Sequence, residues 1–172
     1  MSNGRRVQDW RLMGRDTLEL EQDYYLSLAQ LYDTYDLNMP SSSSIRIGAI
    51  AESDFITQCL VRNFEPHAPV TPMPWDFLVT CPAGTLKIQV KATNSKSRES
   101  SYNVSTSTGR TLKKKELNKD AIDVVACFIQ PEHLWFLIPI EEITGRTTRL
   151  SADQTTRNKY QKYRENWSIF YE

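Results

Sequence analysis

The chain is poor in the residues that build stapled or zinc-bound folds. Its three cysteines, Cys59, Cys81 and Cys127, are odd in number, far apart and in no CxxC spacing, which argues against a disulfide framework and a zinc knuckle. Cys59 and Cys127 stand among apolar neighbours and read as buried filler. The two histidines, His67 and His133, lack ligand spacing, which argues against a histidine-built metal site. No apolar run approaches the roughly 18 residues of a membrane span, and the opening MSNGRRVQDW lacks the apolar stretch of a secretory leader. A cytoplasmic protein without a membrane partner is therefore expected. Repeats and long low-complexity tracts are also missing. At 172 residues and 40% hydrophobic, the chain is sufficient for one compact core with an appendage.

Net charge is zero too, yet the charges are segregated. From Lys87 to Lys119 nine Lys/Arg stand against two acids, Glu99 and Glu116, a surplus of +7. From Arg146 to Arg164 six stand against Asp153 alone, a surplus of +5, so the remainder carries −12. One basic face suits a polyanionic backbone whose counterions it displaces; ordinary solvated charge runs are the plain alternative.

Spacing predicts an amphipathic helix over 16–37, carried by Leu18, Leu20, Tyr24, Tyr25, Leu28, Leu31, Tyr32 and Tyr35, and NMPSSSS reads as a linker closing an extension of residues 1–44. The main domain, 45–172, opens with a second helix over 45–62. Projected at 100° per residue, Ile45, Gly48, Ala49, Glu52, Phe55, Ile56 and Cys59 share one arc, with Glu52 in its middle. An inward carboxylate calls for a cation, a metal or a catalytic role, unless it sits at the edge of the arc or in a simple salt bridge.

After a proline-rich loop, 76–80 reads as a short strand, Cys81-Pro82-Ala83-Gly84 as a hairpin turn and 85–92 as its partner. A third strand is expected over 102–108, then a polar loop, then buried strands over 121–129 and 133–140. A basic helix is expected over 152–165, carrying Arg157, Lys159, Lys162 and Arg164, with a last strand or extended segment in NWSIFY.

Side chains alternate along a strand, so Gln89 and Lys91 emerge together, and the hairpin brings Asp76 beside them. If the Glu52 helix packs on that sheet, two carboxylates, an amide oxygen and an ammonium converge. Hard oxygen donors of this kind suit Mg²⁺ or Mn²⁺, and a neighbouring lysine suits a phosphate or an attacking water.

Glu52, then Pro74-Trp75-Asp76, then Gln89-Val90-Lys91 resembles the PD-(D/E)XK nuclease superfamily. The run GAIAESDFITQCL, PWDFLV, LKIQVKAT, DVVACFI, LWFLIPIEEI and NWSIFY is similar to its branch of group I intron-encoded or free-standing phage homing endonucleases, over 45–172. The resemblance implies an α/β fold, a mixed central sheet flanked by helices in αβββαβ order, with the N-terminal helix as an addition. It implies Mg²⁺-dependent (or Mn²⁺-dependent) hydrolysis of double-stranded DNA at a specific site, in a prokaryotic or phage-infected cell. Glu52, Asp76 and the Val90 main-chain carbonyl become metal ligands, and Lys91 orients or deprotonates water or stabilises the pentacovalent phosphate. Gln89 stands where the family has an acid and would hold water or metal through its amide oxygen. One such site cuts one strand, so a homo-oligomer, dimer or tetramer, is expected. A Holliday-junction resolvase or restriction enzyme on the same core, and a catalytically silent DNA-binding protein, are the alternatives.

Beside that core, Arg110, Lys113, Lys114, Lys115 and Lys119 suit phosphate contacts. Lys96, Arg98, Asn103 and Ser105 belong to a polar row, with Asn94, Ser95, Ser101 and Ser107, that a major groove could meet.

Overall fold

The computed structural model describes residues 44–109 and 114–172. The expected helix over 16–37 and the candidates Arg110 and Lys113 lie outside the described residues.

Helix α1 (Ser44–Val61) buries Ile47, Ala51, Phe55 and Cys59. These recur every fourth residue and form one row down the helix. The arc centred on Glu52 is therefore not the packed face: Ile45 is 83% exposed, and Glu52 stands on the exposed flank of the buried row. Apolar residues occupy several sides of this helix, so more than one apolar arc can be drawn through it. Contact with the aromatic core selects the row. Phe55 stacks against Phe77 at 5.6 Å and against Trp167 at 6.0 Å between ring centroids, and lies tilted against Trp135 at 5.6 Å.

The helix covers one face of a five-stranded sheet ordered β1-β2-β3-β8-β9, made of β1 (Glu65–His67), β2 (Phe77–Cys81), β3 (Gly84–Thr93), β8 (Val124–Ile129) and β9 (Leu134–Pro139). Only β3 and β8 pair in parallel; the other neighbours are antiparallel, so the sheet is mixed. β8 is buried along its whole length, as its unbroken apolar run requires when both faces are covered. Alternation divides that run. Val124, Ala126 and Phe128 face the core under α1, while Val125, Cys127 and Ile129 face a second core on the far side.

The second core is closed by a three-stranded sheet ordered β10-β5-β4, from β4 (Lys96–Arg98), β5 (Ser101–Ser105) and β10 (Thr147–Ser151). Tyr102 and Val104 of β5 and Leu150 of β10 point inward. The segment expected as a third core strand thus pairs outside the central sheet, and the stretch 147–151 is a strand that the sequence reading did not find. Two short strands, β6 (Ser107–Thr108) and β7 (Lys115–Glu116), pair with each other. The parallel neighbours β3 and β8 need a long crossover. Among the described residues it runs through β4, β5, β6 and β7, with no helix between β3 and β8.

The C-terminal expectations are also corrected. Residues 152–165 form turns, with one 3-10 turn at Gln161–Tyr163, instead of a basic helix. Side chains there bind nearby backbone: Asp153 Oδ1 accepts from Thr155 N at 2.8 Å, and Asn158 Oδ1 accepts from Tyr160 N at 2.9 Å. Such local bonds compete with the helical ladder. NWSIFY is not extended; Trp167–Phe170 is a 3-10 turn that buries Trp167 and Phe170 in the core under α1.

Candidate active site

The β2–β3 hairpin sets the site. Cys81 pairs with Gly84 across the two-residue loop Pro82-Ala83, and Gly84 takes φ 115°, a value that suits glycine. From that turn the register runs back to Phe77 opposite Ile88, where β2 begins. Asp76 is the residue just before it, and its amide donates to the Ile88 carbonyl at 2.8 Å. Beyond this point β3 has no antiparallel partner on that edge among the described residues. The Asp76 carboxylate fills the gap: Oδ2 accepts from the Val90 amide at 2.7 Å and from Gln89 Nε2. The amide and carbonyl of one strand residue share an edge, so the Val90 carbonyl also faces the vacated side. Gln89 Nε2 lies 3.4 Å from it.

Around this free edge lies a cavity of about 430 Å³ lined by Glu52, Asp76, Gln89, Val90 and Lys91, with Ala92 beside them. Its two sides come from different faces of the sheet. Val90 belongs to the core under α1, whereas Gln89 and Lys91 pair with Val125 and with Cys127 of the far core and point that way. Glu52 reaches the same space from α1. Ser44 and Gly48 of α1 line one wall, and Ser105, Ser107, Gly109 and Lys114 of the crossover line another.

Electrostatics tie the group together. Burial raises the Asp76 carboxyl above its ordinary value, against the lowering effects of the Val90 amide, Lys91 and Gln89. Burial also raises Glu52, the Asp76 charge adds to that rise, and Lys91 opposes it. Glu52 is exposed over much of its surface, but its carboxyl senses both charges in the cavity. Two desolvated carboxylates that repel each other are a receptive arrangement for a cation. Among the described residues no three or more of His, Cys, Asp and Glu come together as a metal cage. Mg²⁺ does not need one, since it binds through one or two carboxylates and keeps several waters. Glu52, Asp76 and the Val90 carbonyl fit that pattern.

Of the expected DNA-contact residues, Ser105 and Lys114 line the cavity. Lys96 and Arg98 are exposed on β4, Asn103 on the outer face of β5, and Lys115 on β7. Lys119 Nζ lies 3.5 Å from the Glu141 carbonyl. The sequence reading gave Arg149 no role as a groove residue. It is exposed on β10 directly opposite Asn103, and the alternation in TTRLS was the available signal. The second basic run is partly neutralised, because Lys162 pairs with Glu142 at 3.2 Å.

No curated protein sequence matches the chain. Among solved structures it is similar to a bacterial homing endonuclease, I-Ssp6803I, at 21% identity and a TM-score of 0.66, over 76% of this chain and 94% of that one. At that identity the likeness concerns the fold alone. The family model for PD-(D/E)XK endonucleases matches residues 43–170, a span that contains every residue of the cavity, and on that match the chain belongs to the PD-(D/E)XK endonuclease family.

Proposed function

We propose that this endonuclease is a metal-dependent, site-specific DNA nuclease of the homing type, acting as a homo-oligomer in the cytoplasm of a prokaryotic or phage-infected cell. The observation that carries the reading is that Glu52, Asp76 and Lys91 meet in one cavity, with both carboxyls raised. A divalent cation held by Glu52, Asp76 and the Val90 carbonyl would supply positive charge to a phosphate and acidify a bound water.

The chain's own residues do the rest. Asp76 is fixed by its bonds to Val90 and Gln89, so its second oxygen is presented at a set angle. Gln89 takes the place of an acid and contributes no charge, leaving Glu52 and Asp76 as the anionic pair. Lys91 is placed to hold an attacking water or to stabilise the charge that grows on the phosphate as the P–O bond breaks, leaving 5′-phosphate and 3′-hydroxyl ends. The exposed row of Asn103, Ser105 and Arg149 continues from the cavity along the outer sheet and offers groups for groove contacts.

The test incubates the protein with supercoiled plasmid, linear and four-way-junction DNA, in Mg²⁺, Mn²⁺ or EDTA. Metal-dependent discrete fragments, lost in Lys91→Ala by about a hundredfold or more, support the reading. Exclusive cutting of junctions assigns a resolvase instead, and binding without cutting in any metal assigns a silent scaffold.

A further inference from the structure

Ser44, Gly48 and Glu52 stand four residues apart on α1, so they form one stripe along it, and all three line the cavity. Gly48 is the unexpected member. A glycine inside a helix is less favourable than alanine, and the usual reasons for accepting that are missing here. Its φ is not positive; the positive-φ glycines among the described residues are Gly84, Gly109 and Gly145. Nor does it make way for a neighbouring element, since a Cβ at this position would meet nothing within 4 Å. The space in front of Gly48 is the cavity itself.

We infer that Gly48 is a clearance residue for the substrate. In this reading, which rests on the DNA-cleavage function proposed above, the strand being cut lies against the Ser44–Gly48–Glu52 stripe. The missing side chain lets its phosphate descend to the level of Glu52 and Asp76. Helical side chains lean toward the N-terminus, so a side chain at position 48 would cover the turn that bears Ser44 and close the approach to Glu52 from that end. Lys114 faces the strand from the crossover wall and Lys91 from β3, which brackets a phosphate between two cations. Cleavage is sensitive to such clearance because attacking and attacked atoms must come within about 3–3.5 Å in line.

Three variants test this: Gly48→Ala, Gly48→Leu and, as a control of equal bulk on the exposed neighbour, Ala49→Leu. Each is compared with wild type in Mg²⁺-dependent cleavage of plasmid DNA, in affinity for the same DNA and in thermal melting. Both Gly48 variants are expected to melt at or above wild type. Gly48→Leu should lose about tenfold or more in kcat/KM together with DNA affinity. Gly48→Ala should fall between it and wild type, and Ala49→Leu should cleave normally. Normal kcat/KM in Gly48→Leu, an equal loss in Ala49→Leu, or a Gly48→Leu protein that melts below wild type overturns the inference. A wild-type protein that cuts nothing overturns the nuclease reading instead.

Discussion

The Val90 amide donates to Asp76 Oδ2 at 2.7 Å, two residues past the point where Ile88 pairs with Phe77. The same oxygen receives Gln89 Nε2, so an asparagine whose amide oxygen takes that place keeps both bonds. Burial still outweighs those bonds and raises the carboxyl. A carboxyl raised in the folded state adds stability below its unfolded value, and that stability is lost as pH rises through the folded one. Asp76→Asn should therefore melt at or above wild type at pH 7 in metal-free buffer. This advantage should vanish by about pH 4. Cleavage should fall by about a hundredfold or more. Melting curves at both pH values and a plasmid assay decide it; a variant that melts well below wild type at pH 7 contradicts the account of burial.

The mutual repulsion of Glu52 and Asp76 predicts a metal effect on stability. Mg²⁺ at a hundred times its Kd would add about 2.7 kcal/mol, which for a chain of this size is a rise of roughly 5–10 °C in Tm. Glu52→Gln should lose most of that rise and most of the cleavage. Differential scanning calorimetry with and without Mg²⁺ measures it, and an equal rise in the variant would place the ion elsewhere.

Phe55 is fully buried against Phe77, Trp135 and Trp167. Phe55→Ala should destabilise the fold by about 3–5 kcal/mol through lost transfer energy and the cavity left behind. Urea unfolding reads this directly. The same helix carries Glu52, so activity should fall at lower temperature than in wild type.

Asp54 accepts from Trp135 Nε1 at 2.7 Å and lies 3.3 Å from His133 Nε2, fastening α1 to β9 away from the cavity. Asp54→Ala leaves the indole donor without its partner and should be destabilising by about 1–3 kcal/mol. Asp54→Asn keeps an acceptor and should recover much of it. Cleavage per folded molecule should stay at wild type in both, as measured by plasmid assay at low temperature.

Much of this was legible locally. The β2–β3 hairpin, its turn and the alternation that sends Gln89 and Lys91 to one side follow from apolar spacing and from Pro82-Ala83-Gly84. So do the bounds of α1 and the two buried runs that became β8 and β9. What failed was decided at long range. The side of α1 that packs was settled by aromatic rings from β2, β9 and the C-terminal turn, and none of these can be seen within the helix. β5 has the alternation of a core strand, but it pairs with β4 and with β10, the latter more than forty residues along the chain, rather than with the central sheet. The run 152–165 has helical charge and spacing, and lost to Asp153 and Asn158, whose side chains satisfy backbone groups in turns.

The crossover between β3 and β8 is forced by geometry but not by content. Two parallel neighbours demand a long connection, and nothing in the pairing of Ile88 with Val124 or Lys91 with Cys127 dictates which residues fill it. Here that stretch forms the small strands and supplies Ser105, Ser107 and Lys114 to one wall of the cavity. Its exposed residues, Asn103, Ser105 and Lys114, can therefore be exchanged, changing what is gripped, while Tyr102 and Val104 hold the second core and Asp76, Gln89 and Lys91 keep their registration.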